Sequence, residues 1–338
     1  MEITPITTKE LYKKFWLENN LSFLQSWEWG EVKKFSWKPI RLAYGNIPFT
    51  IFLKKFPFIN AHFGYMPRPF SKDTLSSALL KKINEYANKV LKISHLIIDP
   101  NLIKTKEIEE FSKNGYINSG VTIQPNQTNI IDTSKSENDI WMAMSSNYRK
   151  KIRRAAKYGC SVIYLERDKK DAVERFFKFM KDIYKRTNYV MYGINYFQKI
   201  WAEFTKENNT RIYLVRYKDQ DIGAILYLYD NIGAYELYGG ICNSGRKIMA
   251  NYILKWTAMR DAVKMKKKFY DQWGVSPKIG DNYDKKDKLY NISLFKDGFG
   301  GQYTEFMPQQ TIIFNQSVHK LYILLKNFNK IFVKYRFF

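Results

Sequence analysis

Two stretches of this 338-residue chain carry the same succession of hydrophobic periods, and that repetition limits the fold more than any single motif does. In the first, helical spacing over residues 9–19 and 27–34 gives way to alternating runs at 40–44, 49–54 and 62–65, with Gly45-Asn46 marking a turn between the first two. A helical run at 75–90 follows, then a strand at 95–98 stopped by Asp99-Pro100, a short helix near 106–113 and a strand at 128–132. The second stretch reads in the same order. Helices at 171–184 and 196–206 precede strands at 211–216 and 222–228 around Lys218-Asp219-Gln220-Asp221. A strand at 234–238, a helix at 248–264, a strand at 268–272, a helix at 289–296 and a strand from Tyr303 close it. The helix at 171–184 sets Val173, Phe176, Phe177, Met180, Ile183 and Tyr184 on one face. That at 248–264 turns Ile248, Tyr252, Trp256 and Met259 inward.

Helices, an antiparallel meander, then helix, strand, helix and strand is the order of an acetyltransferase-like (GNAT) half, here met twice. The expected fold class is α/β (α+β), two tandem GNAT-like acyltransferase domains, and the length suffices for two separate cores. No short-period repeat is present, which excludes a solenoid.

The hydrophobic fraction of 45% and aromatic fraction of 17% exclude a disordered chain. With 56 Lys and Arg against 32 Asp and Glu the formal charge is +24, which points to a polyanionic partner such as nucleic acid, pyrophosphate or acidic lipid. The first residues lack a signal-peptide pattern and no segment reaches the roughly 18 apolar residues of a membrane span, so the expected location is the cytoplasm. Two cysteines, Cys160 and Cys242, make no disulfide framework. His62, His95 and His319 stand in no metal-binding or triad spacing, so no metal is expected and the histidines read as satisfied structural residues.

Between the two stretches, residues 147–158 place Tyr148, Ile152, Ala155 and Ala156 on a narrow apolar stripe. Arg149, Lys150, Lys151, Arg153, Arg154 and Lys157 cover the rest with no acid among them. Such a surface suits a phosphate backbone, and it suits a solvated linker helix as well. The tail from Val318 mixes Leu321, Tyr322, Leu325, Phe328 and Phe332 with Lys320, Lys326, Lys330, Lys334 and Arg336, the pattern of a basic amphipathic helix that packs on the first domain or meets an anionic membrane.

Three ordered segments resemble the FemABX family of peptidoglycan bridge-forming aminoacyltransferases. They are Phe23-Leu24-Gln25-Ser26-Trp27-Glu28-Trp29-Gly30, Tyr270-Asp271-Gln272-Trp273-Gly274-Val275 and Phe295-Lys296-Asp297-Gly298-Phe299-Gly300-Gly301. Smaller similarities at Tyr65-Met66-Pro67-Arg68, Ile98-Asp99-Pro100, Ile123-Gln124-Pro125 and Met249-Ala250-Asn251-Tyr252 extend it over most of the chain. The resemblance implies a first domain over 1–146 completed by 308–338, a second over 147–307, and the short form without a coiled-coil arm.

It also implies a reaction. An amino acid such as Gly, Ala or Ser would pass from aminoacyl-tRNA, the co-substrate, to an amine on the stem peptide of a peptidoglycan precursor, either lipid II or UDP-MurNAc-pentapeptide, with the protein acting as a monomer. An aminoacyl ester is already activated, so positioning and charge stabilisation carry the chemistry and no serine or cysteine nucleophile is required. Lys296, with Phe295 before it, is implied beside the reacting carbonyl. Asp99 is implied as a contact to the attacking amine or its base, against an ordinary helix cap. Substrate contacts are implied for Lys33, Tyr192, Tyr196, Asn251 and Asp271, and tRNA contacts for Arg149, Lys150, Arg153, Arg154 and Lys157. Tyr192 stands where members using the nucleotide-linked precursor carry an arginine, which opens the lipid-linked acceptor. Coenzyme A is not expected, because Gly245-Arg246-Lys247-Ile248-Met249-Ala250-Asn251 sets bulky residues where a pyrophosphate-binding turn needs glycine. Two alternatives remain: transfer to a protein N-terminus or a lipid, and a non-catalytic tRNA- or membrane-binding module.

Overall fold

The computed structural model describes residues 1–57, 59–103, 108–118, 123–167, 169, 171–187 and 192–332, and the chain divides into two units, 1–126 with 305–338, and 127–304. Unit 1 opens with β1 (Ile3–Pro5), α1 (Lys9–Glu18), a 3-10 turn at Phe23–Gln25 and α2 (Trp27–Lys33). Helix α1 buries Tyr12 and Trp16, and α2 is capped by Ser26, whose Oγ accepts from the Trp29 amide at 3.1 Å. The Gln25 side chain, fully buried, donates to the Pro67 carbonyl at 2.7 Å and accepts from the Thr50 amide at 2.8 Å. The N-terminal motif therefore acts partly as a clamp between the turn and the sheet.

The meander β2 (Lys38–Tyr44), β3 (Ile47–Lys55) and β4 (His62–Pro67) is followed by α3 (Ser77–Glu85), which ends in a π turn over Tyr86–Val90. Then come β5 (His95–Asp99), α4 (Ile108–Lys113) and β6 (Ile117–Asn118). Alternation along β3 and β5 drives Phe49, Ile51, Leu96 and Ile98 onto Leu79, Leu80 and Ile83 of α3.

Unit 2 begins with β7 (Gln127–Asp132), α5 (Glu137–Ala143), α6 (Ser146–Lys157), β8 (Ser161–Leu165), α7 (Ala172–Thr187) and α8 (Ile194–Phe204). Its meander is β9 (Thr210–Tyr217), β10 (Gln220–Tyr229) and β11 (Gly233–Ile241). After α9 (Asn243–Lys247) and α10 (Ala250–Lys264) come β12 (Phe269–Gly274), the hairpin β13 (Lys278–Ile279) and β14 (Asn282–Tyr283), α11 (Tyr290–Asp297) and β15 (Gln302–Glu305). The chain then returns to unit 1 with β16 (Gln310–Ile313) and α12 (Gln316–Phe332).

The two sheets run β1-β2-β3-β4-β5-β16-β6 and β8-β9-β10-β11-β12-β7-β15, so each strand of one has a counterpart in the other. In both, an antiparallel meander leads to one parallel pair, β4–β5 or β11–β12, and an antiparallel strand flanks that pair on its far side. This is the tandem GNAT-like architecture expected.

Several expectations need correction. The boundary lies at Asn126/Gln127 and Thr304/Glu305, not at 146/147 and 307/308, because β7 is hydrogen-bonded to β12 and the helices after it belong with that sheet. The basic helix α6 is consequently no linker: Ile152 and Ala155 sit in the core of unit 2 with Leu254 and Ala258, while Ala156 is exposed. On α10 the buried stripe is Ala250, Leu254, Ala258, Met259 and Ala262, since alanines allow the helix close to the sheet, and Tyr252 and Trp256 are only half-buried. Strand β8, helix α5 and strand β16 are additions to the sequence reading. His95 is buried and bonded to Ser94 through Nδ1 at 2.9 Å, but among the described residues its Nε2 has no hydrogen-bond partner. It stacks on Phe63 with ring centroids 5.2 Å apart and meets His319 edge-on at 4.6 Å. Residues 333–338, with Lys334 and Arg336, lie outside those described.

Candidate active site

The second and third motifs meet at the end of β12. Strand β12 follows β7 in register through Asp271↔Ile130 and then slips, so that Gly274 lies opposite Thr128. The extra residue is a β-bulge, and Trp273 takes the left-handed conformation at φ +61°, rare for a side chain of that size. Asp271 holds the bulge. Its Oδ1 accepts from the Trp273 amide at 2.7 Å and from the Thr128 hydroxyl. Thr128 Oγ1 also lies 3.1 Å from the Trp273 carbonyl.

The bulge turns two successive carbonyls toward α11. Lys296 Nζ donates to Gly274 at 2.8 Å and to Trp273 at 3.2 Å. The lysine is only 7% exposed, and burial followed by the nearby Lys255 cation lowers its pKa to about 7, with Glu236 and Asp271 opposing. A lysine so placed is held at a fixed point and changes charge near neutrality. That suits it to stabilise a developing oxyanion or to move a proton.

The glycines after it permit close packing. A Cβ on Gly298 would strike the Tyr148 ring, and Gly300 needs φ +81°. Phe295 is half-buried and packs against Tyr148, Tyr252 and Phe299 at ring distances of 6.1, 5.3 and 5.3 Å. It therefore fixes the helix that carries Lys296.

Beside this lies an ion pair absent from the sequence reading. Lys255 of α10, 1% exposed, sets Nζ 2.9 Å from Glu236 Oε2, and the same oxygen accepts from Tyr270 at 2.6 Å and Tyr227 at 3.2 Å. A lone acid in the aromatic run Ala234-Tyr235-Glu236-Leu237-Tyr238 and a lone lysine beside Leu254 and Ala258 were the available signals.

The remaining expected residues are dispersed. Asp271 is the buried carboxylate that braces the β12 bulge. Asn251 is half-buried in the first turn of α10, after Met249 at φ +62°. Tyr192 stacks on Tyr196 with centroids 4.1 Å apart, and the Tyr196 hydroxyl lies 3.3 Å from that of Tyr238. On α6, Lys150, Arg153, Arg154 and Lys157 are exposed, with Arg153 over the Trp141 ring at 5.3 Å and Arg154 donating to the Tyr158 hydroxyl at 2.7 Å. Arg149 is engaged otherwise, closing the end of α5 through the carbonyls of Trp141, Met142 and Met144.

In unit 1, Lys33 lies over the Trp29 ring at 4.9 Å. Asp99 is 4% exposed and surrounded by donors. Tyr65 donates its hydroxyl at 2.5 Å, the Gln124 amide lies at 3.2 Å and the Gln309 side chain at 3.1 Å. Burial raises its pKa against those hydrogen bonds. Among the described residues its carboxylate accepts from Tyr65, Gln124 and Gln309 and from no first-turn amide of a helix. Among the described residues no group of His, Cys, Asp and Glu is arranged to hold a metal ion, and no helix is long and apolar enough to cross a membrane.

Comparison with known proteins gives a consistent picture. An acetyltransferase (GNAT) domain family matches residues 143–283. Lipid II:glycine glycyltransferase of Staphylococcus haemolyticus is 22% identical over 406 aligned positions, covering 95% of each protein, and that of Staphylococcus aureus is 21% identical over 89% of this chain and 90% of its own. The crystal structure of FemX superposes with a TM-score of 0.82 at 19% identity, over 95% of this chain and 99% of that one. L-PGS from Bacillus licheniformis shares the fold at a TM-score of 0.62 and 11% identity, over 97% of this chain and 98% of its own. With its motifs in order, its two sheets matched strand for strand and its relatives aligned almost end to end, the chain is similar along nearly its whole length to glycyltransferases of the FemABX type and shares the fold of FemX.

Proposed function

We propose that the protein transfers a glycyl group from aminoacyl-tRNA to an amine of the stem peptide of a lipid-linked peptidoglycan precursor, adding to an interpeptide bridge. The observation that carries the reading is Lys296, buried and aimed by two carbonyls at the bulged end of β12. The neutral acceptor amine attacks the ester carbonyl, a C–N bond forms, and the C–O bond to the tRNA ribose breaks. One proton leaves the attacking nitrogen and one reaches the ribose oxygen. Lys296 balances the negative charge on the carbonyl oxygen between those events.

The relatives named for lipid II and glycine support that acceptor and donor residue. Tyr192, stacked on Tyr196, offers no cation for the diphosphate of a nucleotide-linked precursor. Helix α12 adds support for a lipid-linked one: Tyr322 packs on Phe63 and His95, whereas Ile323 and Leu324 are exposed beside the exposed Lys320. An apolar and cationic face of this kind suits an anionic bilayer. In this reading the protein works as a monomer at the cytoplasmic face of the membrane. The exposed cations of α6 are the surface offered to tRNA, and coenzyme A has no part.

Lys296→Met tests the reading. Single-turnover transfer should fall by a factor on the order of 100, as when other oxyanion donors are lost. Near-normal transfer would remove Lys296 from the mechanism.

A further inference from the structure

The parallel strands β11 and β12 stay paired only from Gly233↔Phe269 to Tyr235↔Asp271. Beyond that pair β11 continues along β10, with its own register shift opposite Leu226/Tyr227, while β12 bulges toward β7. A fork opens between them, and Glu236 is the first residue on its β11 side. Helix α10 fills the fork with Lys255, whose Nζ lies 5.5 Å from the Phe295 ring centre and 5.3 Å from that of Phe299. The ammonium thus sits between the carboxylate and the aromatic residues that carry Lys296.

We propose that Lys255 and Glu236 are positioning residues of the acyl-transfer site, an ion pair of a buried lysine and a half-buried carboxylate that sets the charge state of Lys296. The proposal rests on the reading of Lys296 as the group beside the reacting carbonyl. Two carboxylates, Glu236 and Asp271, favour the charged form of Lys296, and Glu236 is committed to Lys255 at 2.9 Å and to two tyrosine hydroxyls. Among the described residues the hydrogen-bond acceptors of Lys296 are two neutral carbonyls. When one proton leaves this cluster, the cheapest to lose is that of Lys296. The other titratable groups around it are otherwise engaged. Asp271 is bonded within the bulge, Asp297 accepts from Tyr283 at 3.0 Å, and Lys151 donates to Tyr252 at 3.0 Å. Tyr148, against Phe295, donates to the Leu294 carbonyl at 3.4 Å.

Like and unlike charges must then act on Lys296 in opposite directions, which a merely structural pair would not do. Its titration is read in protein carrying lysine labelled with ¹³C at Cε, by NMR, with the Lys296 signal assigned by Lys296→Arg. Lys255→Met removes a neighbouring cation and frees Glu236, so the Lys296 midpoint should rise by about one pH unit or more. Glu236→Gln should lower it by a similar amount, and Lys255→Arg should leave it in place. Midpoints that stay fixed, or that move the same way in both variants, would overturn the proposal. If Lys255→Met does not fold, Glu236→Gln decides alone, a downward shift upholding the pair and no shift overturning it. Opposite shifts in a protein that transfers nothing would uphold the pair and overturn the proposed reaction instead.

Discussion

The parallel pairs of the two units share a topology and end differently. In unit 1, β4 and β5 stay in register to their last residues, Pro67↔Asp99, and Asp99 is enclosed by Tyr65, Gln124 and Gln309. In unit 2 the corresponding last pair is Tyr235↔Asp271, after which the strands separate. There Asp271 braces a bulge, and the space beyond holds Glu236, Lys255 and Lys296. A closed end holds its carboxylate among three donors. A forked end brings together charged groups that the fold does not fully neutralise, and perturbed charges in such places are where catalysis is to be sought. The comparison sets the hydrogen-bonded Asp99 beside a fork where two lysines and a glutamate meet.

The comparison can be broken most sharply through its two aspartates. Asp271→Ala should release Trp273 and with it the carbonyls that aim Lys296, lowering single-turnover transfer by roughly 10- to 100-fold, since small misplacements of a catalytic group have effects of that size. An unchanged rate would mean that the bulge does not position Lys296. Paired substitution of Lys150 and Lys157 by Ala on α6 should weaken tRNA binding by roughly threefold to tenfold, with the salt dependence of log K reduced by about 1 to 2. Identical salt slopes would place the tRNA elsewhere. Asp99→Asn should leave transfer within about threefold of normal while costing about 1–3 kcal/mol of stability, because a buried acceptor is replaced by a group that cannot satisfy all three donors. A large rate loss at unchanged stability would return Asp99 to the reaction.

Acid provides a weaker contrast. Burial, aided by His319 and Lys326, lowers the His95 pKa to about 3. The unfolded chain, with histidine near 6.5, therefore binds that proton first. Stability from the neutral ring is complete above about pH 6.5 and is lost progressively as the pH falls toward 3. Urea unfolding at pH 7.5 and 5 should show this loss in unit 1, and His95→Phe should reduce it. Equal pH sensitivity in the variant would assign the effect to other groups.

Much of this molecule was legible because its strands alternate and its meanders turn at short polar links such as Gly45-Asn46 and residues 218–221. The boundary was not, since β7 finds its partner β12 far along the chain, and no local pattern in Gln127–Asp132 tells on which sheet it will lie. The site divided in the same way. Lys296 was reached through its motif, yet the motif said nothing of why the lysine is held, which depends on a bulge formed by residues in another segment. The donors that enclose Asp99 were not legible, because Gln124 and Gln309 are remote in sequence. Lys255 and Glu236 escaped notice because a single charge within an apolar run reads as a surface position until packing encloses it.

The proposed reaction is an aminoacyl transfer that draws on tRNA. Its most direct test incubates the protein with charged total tRNA and either the lipid-linked or the nucleotide-linked precursor, then weighs the products. The account predicts a mass gain of one glycyl residue on the lipid-linked precursor, abolished by prior ribonuclease treatment. Transfer that survives ribonuclease, or no gain on either precursor, would contradict it.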